Sequence, residues 1–385
     1  MEKYFFVLGS HPLLSIAELN SQLHIDNYQL FDNVFIVKLA EKLKLNDFIK
    51  KVGGVVKVGK IIAEINEQNL DLTIIQTIKK HFPGNQKVIF GFSAFGDRIS
   101  LIDLAMNIKR ELKKQGIKSR WLNSREKNLS SVIITQNKMI ELPNKQRKGI
   151  EFILIKTQQK LLVGVTIAAQ DFKTLSFRDF GRPSRDDLSG MIPPKLAQIM
   201  INLAQVNTDQ IILDPFCGSG TILTEAMLMG YKKIIGTDIS SKAINDTQKN
   251  IKWIQTNFHI IIQPKLFRCD VKNLSKYLSN IDAIITEPYL GPQRGKINIT
   301  QTIKKLEGLY SRALKEFNKI LKPNRKIVMV WPVFCQKNKK HYINPDYKPL
   351  KITNPLPQPF LNKRGLLYGR PKQKVMREII ILTKI

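Results

Sequence analysis

Cysteine is scarce in this chain, and its three residues, Cys217, Cys269 and Cys335, stand far apart. No Cys-x-x-Cys pair occurs and the count is odd, which argues against a disulfide framework and against a thiolate zinc site. Histidine is little commoner: five residues, scattered without metal-ligand spacing, so no metal is expected. Long apolar runs are missing as well. None approaches the roughly 20 residues that a membrane span needs, and no membrane association is expected. Glu2 comes early, and His11-Pro12 interrupts the first apolar run, unlike a signal peptide. A reducing, cytoplasmic setting is the expectation that follows.

Acid is the remaining deficit. Asp and Glu total 31 against 62 Lys and Arg, a formal net charge of +31 in 385 residues. Such a charge attracts polyanions and speeds encounter with them, so nucleic acid is the expected partner. The bland alternative is compositional bias, because the chain is also rich in Ile and Asn. An anionic lipid surface fits less well, since no basic amphipathic helix of the interfacial kind is evident.

What the chain does have is length and rhythm. It exceeds what one core usually organises, and two or three domains are expected. Up to about Ala169, short strand-like runs mix with helices. Lys3 to Leu8, Val34 to Leu39, Val88 to Ser93, Val132 to Thr135, Glu151 to Lys156 and Leu161 to Ala168 read as strands, and Gly53-Gly54 breaks the chain before Val55 to Ile65. Pro12 to Leu23 and Leu101 to Gln115 read as helices, the second stopped by Gly116. This is an α+β pattern without a steady βαβ beat. Residues 171 to 194 read as a polar connection containing Pro and Arg.

The beat then changes. Lys195 to Leu203, Thr221 to Met229, Ser241 to Thr256 and Ile303 to Leu321 read as helices. They alternate with short apolar strands at Ile211 to Leu213, Lys233 to Gly236, Lys265 to Arg268, Ala283 to Ile285 and Ile327 to Val330. That alternation predicts a parallel, doubly wound sheet. Gly365 to Leu382 reads as a hairpin at the sheet edge, turning around Gly369 to Gln373.

The sharpest signal is Asp214-Pro215-Phe216-Cys217-Gly218-Ser219-Gly220-Thr221. An acid ends a strand, and a Gly-x-Gly turn opens a helix whose N–H groups face a ligand. Leu223 stands where the dinucleotide fingerprint wants its third glycine, which counts against NAD. Asp238 ends the next strand, placed for ribose hydroxyls. Asp270 follows Phe267-Arg268-Cys269, where a carboxylate can accept from an adenine amino group. Thr286-Glu287-Pro288-Tyr289 ends the fourth strand. Polar stops at successive carboxyl ends of parallel strands line one crevice. Any one alone reads equally as a cap or a turn.

On these residues the chain resembles RNA methyltransferases that pair a THUMP domain with a Rossmann-like catalytic domain, and among them the tRNA guanine-10 N2-methyltransferases. The resemblance runs from Tyr4-Phe5-Phe6-Val7-Leu8-Gly9 and Ser15-Ile16-Ala17-Glu18-Leu19, through Arg178-Asp179-Phe180-Gly181-Arg182-Pro183-Ser184-Arg185-Asp186 and residues 191–203, to the Asp214 octet with its Glu225-Ala226 helix. It implies an α+β RNA-binding half, made of a ferredoxin-like module at 1–60 and a THUMP-like domain at 61–170. A linker at 171–194 and an α/β Rossmann-like class I methyltransferase domain at 195–385 follow.

It implies S-adenosyl-L-methionine as cofactor and tRNA, or other structured RNA, as partner. Asp214, Gly218 and Gly220 are implied for the methionine end, Asp238 for ribose and Asp270 for adenine, with Phe216, Thr221, Ile239 and Val271 beside them. Arg178, Arg182, Arg185 and Arg294 are expected RNA contacts. Glu287-Pro288-Tyr289 is implied as the catalytic segment, where the family carries Asp-Pro-Pro-Tyr. Here the acid is one methylene longer, and Leu290 stands where the tyrosine is expected. A DNA amino-methyltransferase, or an RNA-binding protein that has lost activity, are the alternatives.

Overall fold

The computed structural model describes residues 1–385 except 24, 26, 85, 98, 125–127, 142–145, 186–189, 293–294, 296–297, 338 and 362–363. The chain divides into two compact units. The first comprises Met1–Pro12, Ile25–Lys51 and Val55–Phe172; the second comprises Leu13–His24, Val52–Gly54 and Lys173–Ile385.

The first unit is built on one sheet of β1 (Glu2–Leu8), β2 (Tyr28–Phe31), β3 (Val34–Leu39), β4 (Val55–Ile65), β5 (Val88–Gly96), β6 (Ser119–Trp121), β7 (Gly149–Lys156) and β8 (Leu161–Ala169). The strand order is β2-β3-β1-β4-β8-β7-β5-β6. Strand alternation sends Phe90 and Phe92 of β5 into one cluster and Phe95 into another. The helices α1 (Pro12–Leu23), α2 (Leu45–Lys51), α3 (Leu70–His81), α4 (Leu101–Lys114) and α5 (Ser131–Gln136) accompany it in sequence. Ile74 and Ile78 of α3, and Leu104, Ile108 and Leu112 of α4, repeat at helical spacing and close over Phe90, Phe152 and Val163. Each such side chain contributes about 1.5–3 kcal/mol on burial.

Two expectations change here. The 60/61 boundary falls inside β4, and the sheet runs unbroken across it. Val132 to Thr135, strand-like by its β-branched residues, is helix α5. Ser130 caps it by accepting from the Ile133 amide, and Ile134 is buried beside Leu129 and Met139. A cap and tertiary burial outweigh a weak propensity.

α1 groups with the second unit, where Glu18 carries it. The Glu18 carboxylate accepts from the amides of Gly53 (2.9 Å) and Gly54 (2.7 Å) and from Asn202 (2.7 Å).

The second unit's helices are α6 (Phe172–Phe180), α7 (Pro194–Leu203), α8 (Thr221–Leu228), α9 (Ser241–Phe258) and α10 (Ile299–Ile320). Its strands are β9 (Ile211–Asp214), β10 (Lys233–Asp238), β11 (Lys265–Arg268), β12 (Ile281–Thr286), β13 (Leu321–Gln336), β14 (Lys339–Tyr342), β15 (Lys351–Ile352), β16 (Leu366–Tyr368) and β17 (Val375–Thr383). The main order is β11-β10-β9-β12-β13-β17-β15, parallel through β13 and antiparallel from β17. The order reverses at β9, between β10 and β12, which is where an open α/β sheet forms its crevice. The segment read as a connection contains α6. The C-terminal hairpin is not an edge: β17 lies between β13 and β15 and is apolar on both faces, with Ile379 to Leu382 buried.

Candidate active site

The strands of the second unit stop in register. Gly236 of β10 pairs beside Asp214 of β9, and Asp238 beside Arg268 of β11. Their polar ends converge on a cavity of about 480 Å³. Asp214, Phe216, Gly218, Thr221, Asp238, Ile239, Asp270, Val271, Glu287, Pro288 and Tyr289 all line it. Thus the crevice gathers residues from well-separated parts of the sequence, as the strand-end pattern expects.

The loop after β9 takes its shape from two glycines in the left-handed region, Gly218 at φ +52° and Gly220 at φ +84°. They do different work. A Cβ on Gly218 meets nothing within 4 Å, so its backbone lies open. A Cβ on Gly220 would meet Thr247 at 2.8 Å. Gly220 is not among the residues lining the cavity; it is the N-cap of α8 and turns the loop into the helix. From α9, Thr247 donates to the Gly218 carbonyl (2.8 Å) and Asn250 to the Ser219 carbonyl (2.8 Å), fixing the loop.

Asp238 accepts from the Gly218 amide (3.1 Å) on one oxygen and the Ser240 amide (2.9 Å) on the other. Each carboxylate oxygen keeps a lone pair for a ligand hydroxyl. Ile239, 59% exposed, offers an apolar platform beside it. Asp270 caps the turn that follows it, accepting from the Lys272 amide at 3.0 Å while still facing the cavity. Asp214 is buried, and its Oδ1 accepts from the Phe216 amide (3.2 Å) and the Thr286 hydroxyl (2.7 Å). Burial, with Asp238 and Glu287 nearby, pushes its carboxyl up to about 7. Burial likewise pushes the Cys217 thiol far up, so it holds its proton and is no nucleophile.

Glu287 is not free. Both of its oxygens are held by Arg377 of β17: Nε donates to Oε1, and Nη2 donates to Oε2 at 3.1 Å and also contacts the Met191 carbonyl at 3.3 Å. Sequence reasoning missed Arg377, which stands 90 positions downstream. The sheet explains the meeting: Thr286 pairs beside Met329, and Pro332 of the same strand pairs beside Arg377. Tyr289 is 57% exposed, so it is no core aromatic, and the buried Tyr310 of α10 donates to its carbonyl at 3.0 Å.

The arginines divide. Arg178 lies 3.1 Å from the buried Glu225 on α8. Arg182 is buried, donating to the Thr221 hydroxyl at 2.5 Å and to the Arg178 carbonyl at 3.1 Å. Both guanidinium groups tie α6 and the following residues to α8, which corrects their expected role as surface RNA contacts. Arg185 is exposed, with its guanidinium 5.2 Å from the Phe180 ring centroid. Arg294 lies outside the described residues. Among the described residues no group of His, Cys, Asp and Glu could hold a metal ion, and no helix is long and apolar enough to cross a membrane.

Comparison with known proteins supports this picture. Residues 182–334 match the family described as RMKL-like, methyltransferase domain, and residues 61–249 match one described as DNA methylase. The chain is 26% identical over 341 residues to the tRNA (guanine(10)-N2)-dimethyltransferase of Methanocaldococcus jannaschii, covering 84% of this chain and 89% of that protein. It is 35% identical over 144 residues to the protein of that name from Methanothermobacter thermautotrophicus, covering 37% of this chain and 39% of that one. The crystal structure of TrmN from Thermus thermophilus shares the fold over the whole of both chains, with a TM-score of 0.53 at 13% identity. The resemblance to tRNA guanine-N2 methyltransferases read from the sequence is shared by these relatives.

Proposed function

We propose that this chain is an S-adenosylmethionine-dependent tRNA guanine-N2 methyltransferase acting at position 10 of tRNA. In this reading the first unit is its THUMP-containing RNA-binding half and it works in the cytoplasm. One observation carries the proposal: a single cavity has Asp214, Gly218, Asp238 and Asp270 on its walls together with Glu287-Pro288-Tyr289. A relative named for the same reaction, aligned across 84% of the chain, supports it.

The donor fits these residues. Asp214 and the open backbone of Gly218 suit its methionine end, Asp238 and Ile239 its ribose, Asp270 and Val271 its adenine. When bound, S-adenosylmethionine supplies a sulfonium methyl that an amine takes by in-line displacement. The protein's share is orientation. Glu287 accepts a hydrogen bond from the exocyclic amine and holds its lone pair on line, while Pro288 fixes the turn. The exposed ring of Tyr289 offers a face on which a flipped base stacks. The new N–C bond forms as the methyl's bond to sulfur breaks, and the amine's surplus proton passes to solvent water.

The DNA reading has the match of residues 61–249 in its favour, but that match stops before Thr286 and does not reach the acceptor loop. A chain without activity has no need for donor anchors and an acceptor segment on one cavity. The test is direct: purified protein, labelled donor, unmodified tRNA transcripts and duplex DNA, followed by nucleoside mass spectrometry. N2-methylated guanosine in tRNA supports the proposal. Methylated DNA with untouched tRNA refutes it.

A further inference from the structure

The acceptor side of the cavity has an arginine that no motif predicts, and its geometry suggests a task. Glu287 has a side chain only 10% exposed and Arg377 one only 11% exposed, and the two face each other through a two-pronged contact. The same guanidinium reaches the Met191 carbonyl. Arg377 therefore binds together the fourth-strand loop and the segment before α7, both of which line the cavity. We propose that Arg377 is a positioning residue for methyl transfer, acting through Glu287. The proposal rests on the methyltransferase reading above.

Among the described residues, the titratable or charged groups that face Glu287 are Arg377 from β17, Tyr368 from β16, Tyr310 from α10 and Asp214 from β9. Arg377 is the one cation in that set. Without it a mostly buried carboxylate sits near Asp214 with no positive partner to hold it facing the cavity. The fork also fixes the carboxylate's plane, which a lysine's point charge does not. Each Glu287 oxygen keeps a second lone pair for the amine, so the ion pair and substrate contact are compatible. Glutamate's extra methylene relative to the family's aspartate gives it the reach to meet Arg377. The changed acid and the arginine then form one device.

The experiment compares wild type, Arg377→Gln and Arg377→Lys in the full chain. It measures donor affinity by calorimetry, and kcat and KM for tRNA at neutral pH. A merely structural arginine changes thermal stability and leaves kcat of the folded enzyme in place. The expected result is different. Arg377→Gln keeps donor affinity and loses kcat roughly a hundredfold at neutral pH, the scale of a misplaced reacting group. Arg377→Lys restores part of kcat and falls between the two. Wild-type kcat in Arg377→Gln overturns the proposal. Should that variant fail to fold, Arg377→Lys carries the test by the same criteria. The comparison is a ratio on whatever acceptor wild type uses, so a different base refutes the assigned substrate alone. No transfer at all by wild type overturns both.

Discussion

Thr286, at the end of β12, donates its hydroxyl to Asp214 Oδ1, at the end of β9, across 2.7 Å. That bond joins two adjacent strands at the sheet's switch point and bears directly on the charge of the cavity. Burial raises the Asp214 carboxyl to about 7, while Thr286 pulls it back down. The sign follows. Below about 7 the folded protein holds a proton on Asp214 and the site is less negative; above it the carboxylate is bare. The donor carries positive charge on its sulfonium and amino groups, so its affinity should rise as pH climbs through that value and then level off. On stability the effect is reversed, because between about 4 and 7 the native state binds the extra proton and loses stability as pH rises. Thr286→Val should move the binding midpoint upward and Asp214→Asn should remove it. Calorimetry on either side of neutrality checks this; a flat wild-type profile contradicts it.

Asp238 should matter to the donor in another way. Its two oxygens are already anchored by the Gly218 and Ser240 amides, so it is set in place before any ligand arrives. Asp238→Ala removes a charge-assisted bond to a ribose hydroxyl, on the order of 1.5–3 kcal/mol, and also unties the Gly218 loop. Donor affinity should fall by roughly tenfold or more on that scale. Equal affinity in mutant and wild type would take Asp238 out of the site.

RNA affinity should rest on charge and therefore on salt. Lys109 and Arg110 of α4 are exposed on the first unit, near the equally exposed Met106. On the second unit Phe180 is 63% exposed and Arg185 lies against its ring. Lys109→Glu with Arg110→Glu should weaken tRNA binding and flatten its salt dependence, since each lost phosphate contact lowers the slope by about one. Phe180→Ala should weaken binding with the salt slope unchanged, because stacking releases no counterions. Donor affinity serves as the control in both. Unaltered tRNA binding by the charge-reversed variant would remove α4 from the RNA surface.

Much of this was legible in the sequence, and what was not has identifiable causes. The bounds of α1, β3 and β4 follow from local pattern, because Pro12 starts the helix and apolar runs delimit the strands. The acid-bearing wall of the cavity was legible for the same reason: short apolar strands end in acids, and strand ends share one crevice. The burial of Arg178 and Arg182 was not, because charge in sequence says nothing of a buried Glu225 waiting on α8. Arg377 was hidden by topology. Only the antiparallel pairing of β17 with β13 brings it beside a loop so much earlier in the chain.

Glu287 is the decisive position. It follows the fourth strand beside Pro288 and the exposed Tyr289, and it faces the same cavity as Asp214 and Asp238. If its carboxylate holds the acceptor amine, Glu287→Ala should bind donor and tRNA yet lose nearly all transfer, since displacement of a reacting group by about 1 Å costs roughly a hundredfold. That substitution also strands the Arg377 guanidinium, mostly buried, without its anion, so a lower thermal midpoint is expected alongside. Glu287→Asp separates the two effects. It restores the family's acid but withdraws the carboxylate by one methylene, breaking the fork with Arg377 while leaving a charge close by. Stability should then be largely kept and transfer sharply reduced. For the shorter acid to work in place, the loop would need the residues that follow it in the family, which Tyr289-Leu290 does not supply. Single-turnover assays with labelled donor measure the step itself, free of product release. Transfer at the wild-type rate in Glu287→Ala would end the catalytic assignment and leave Glu287 as the anion that keeps Arg377 folded in.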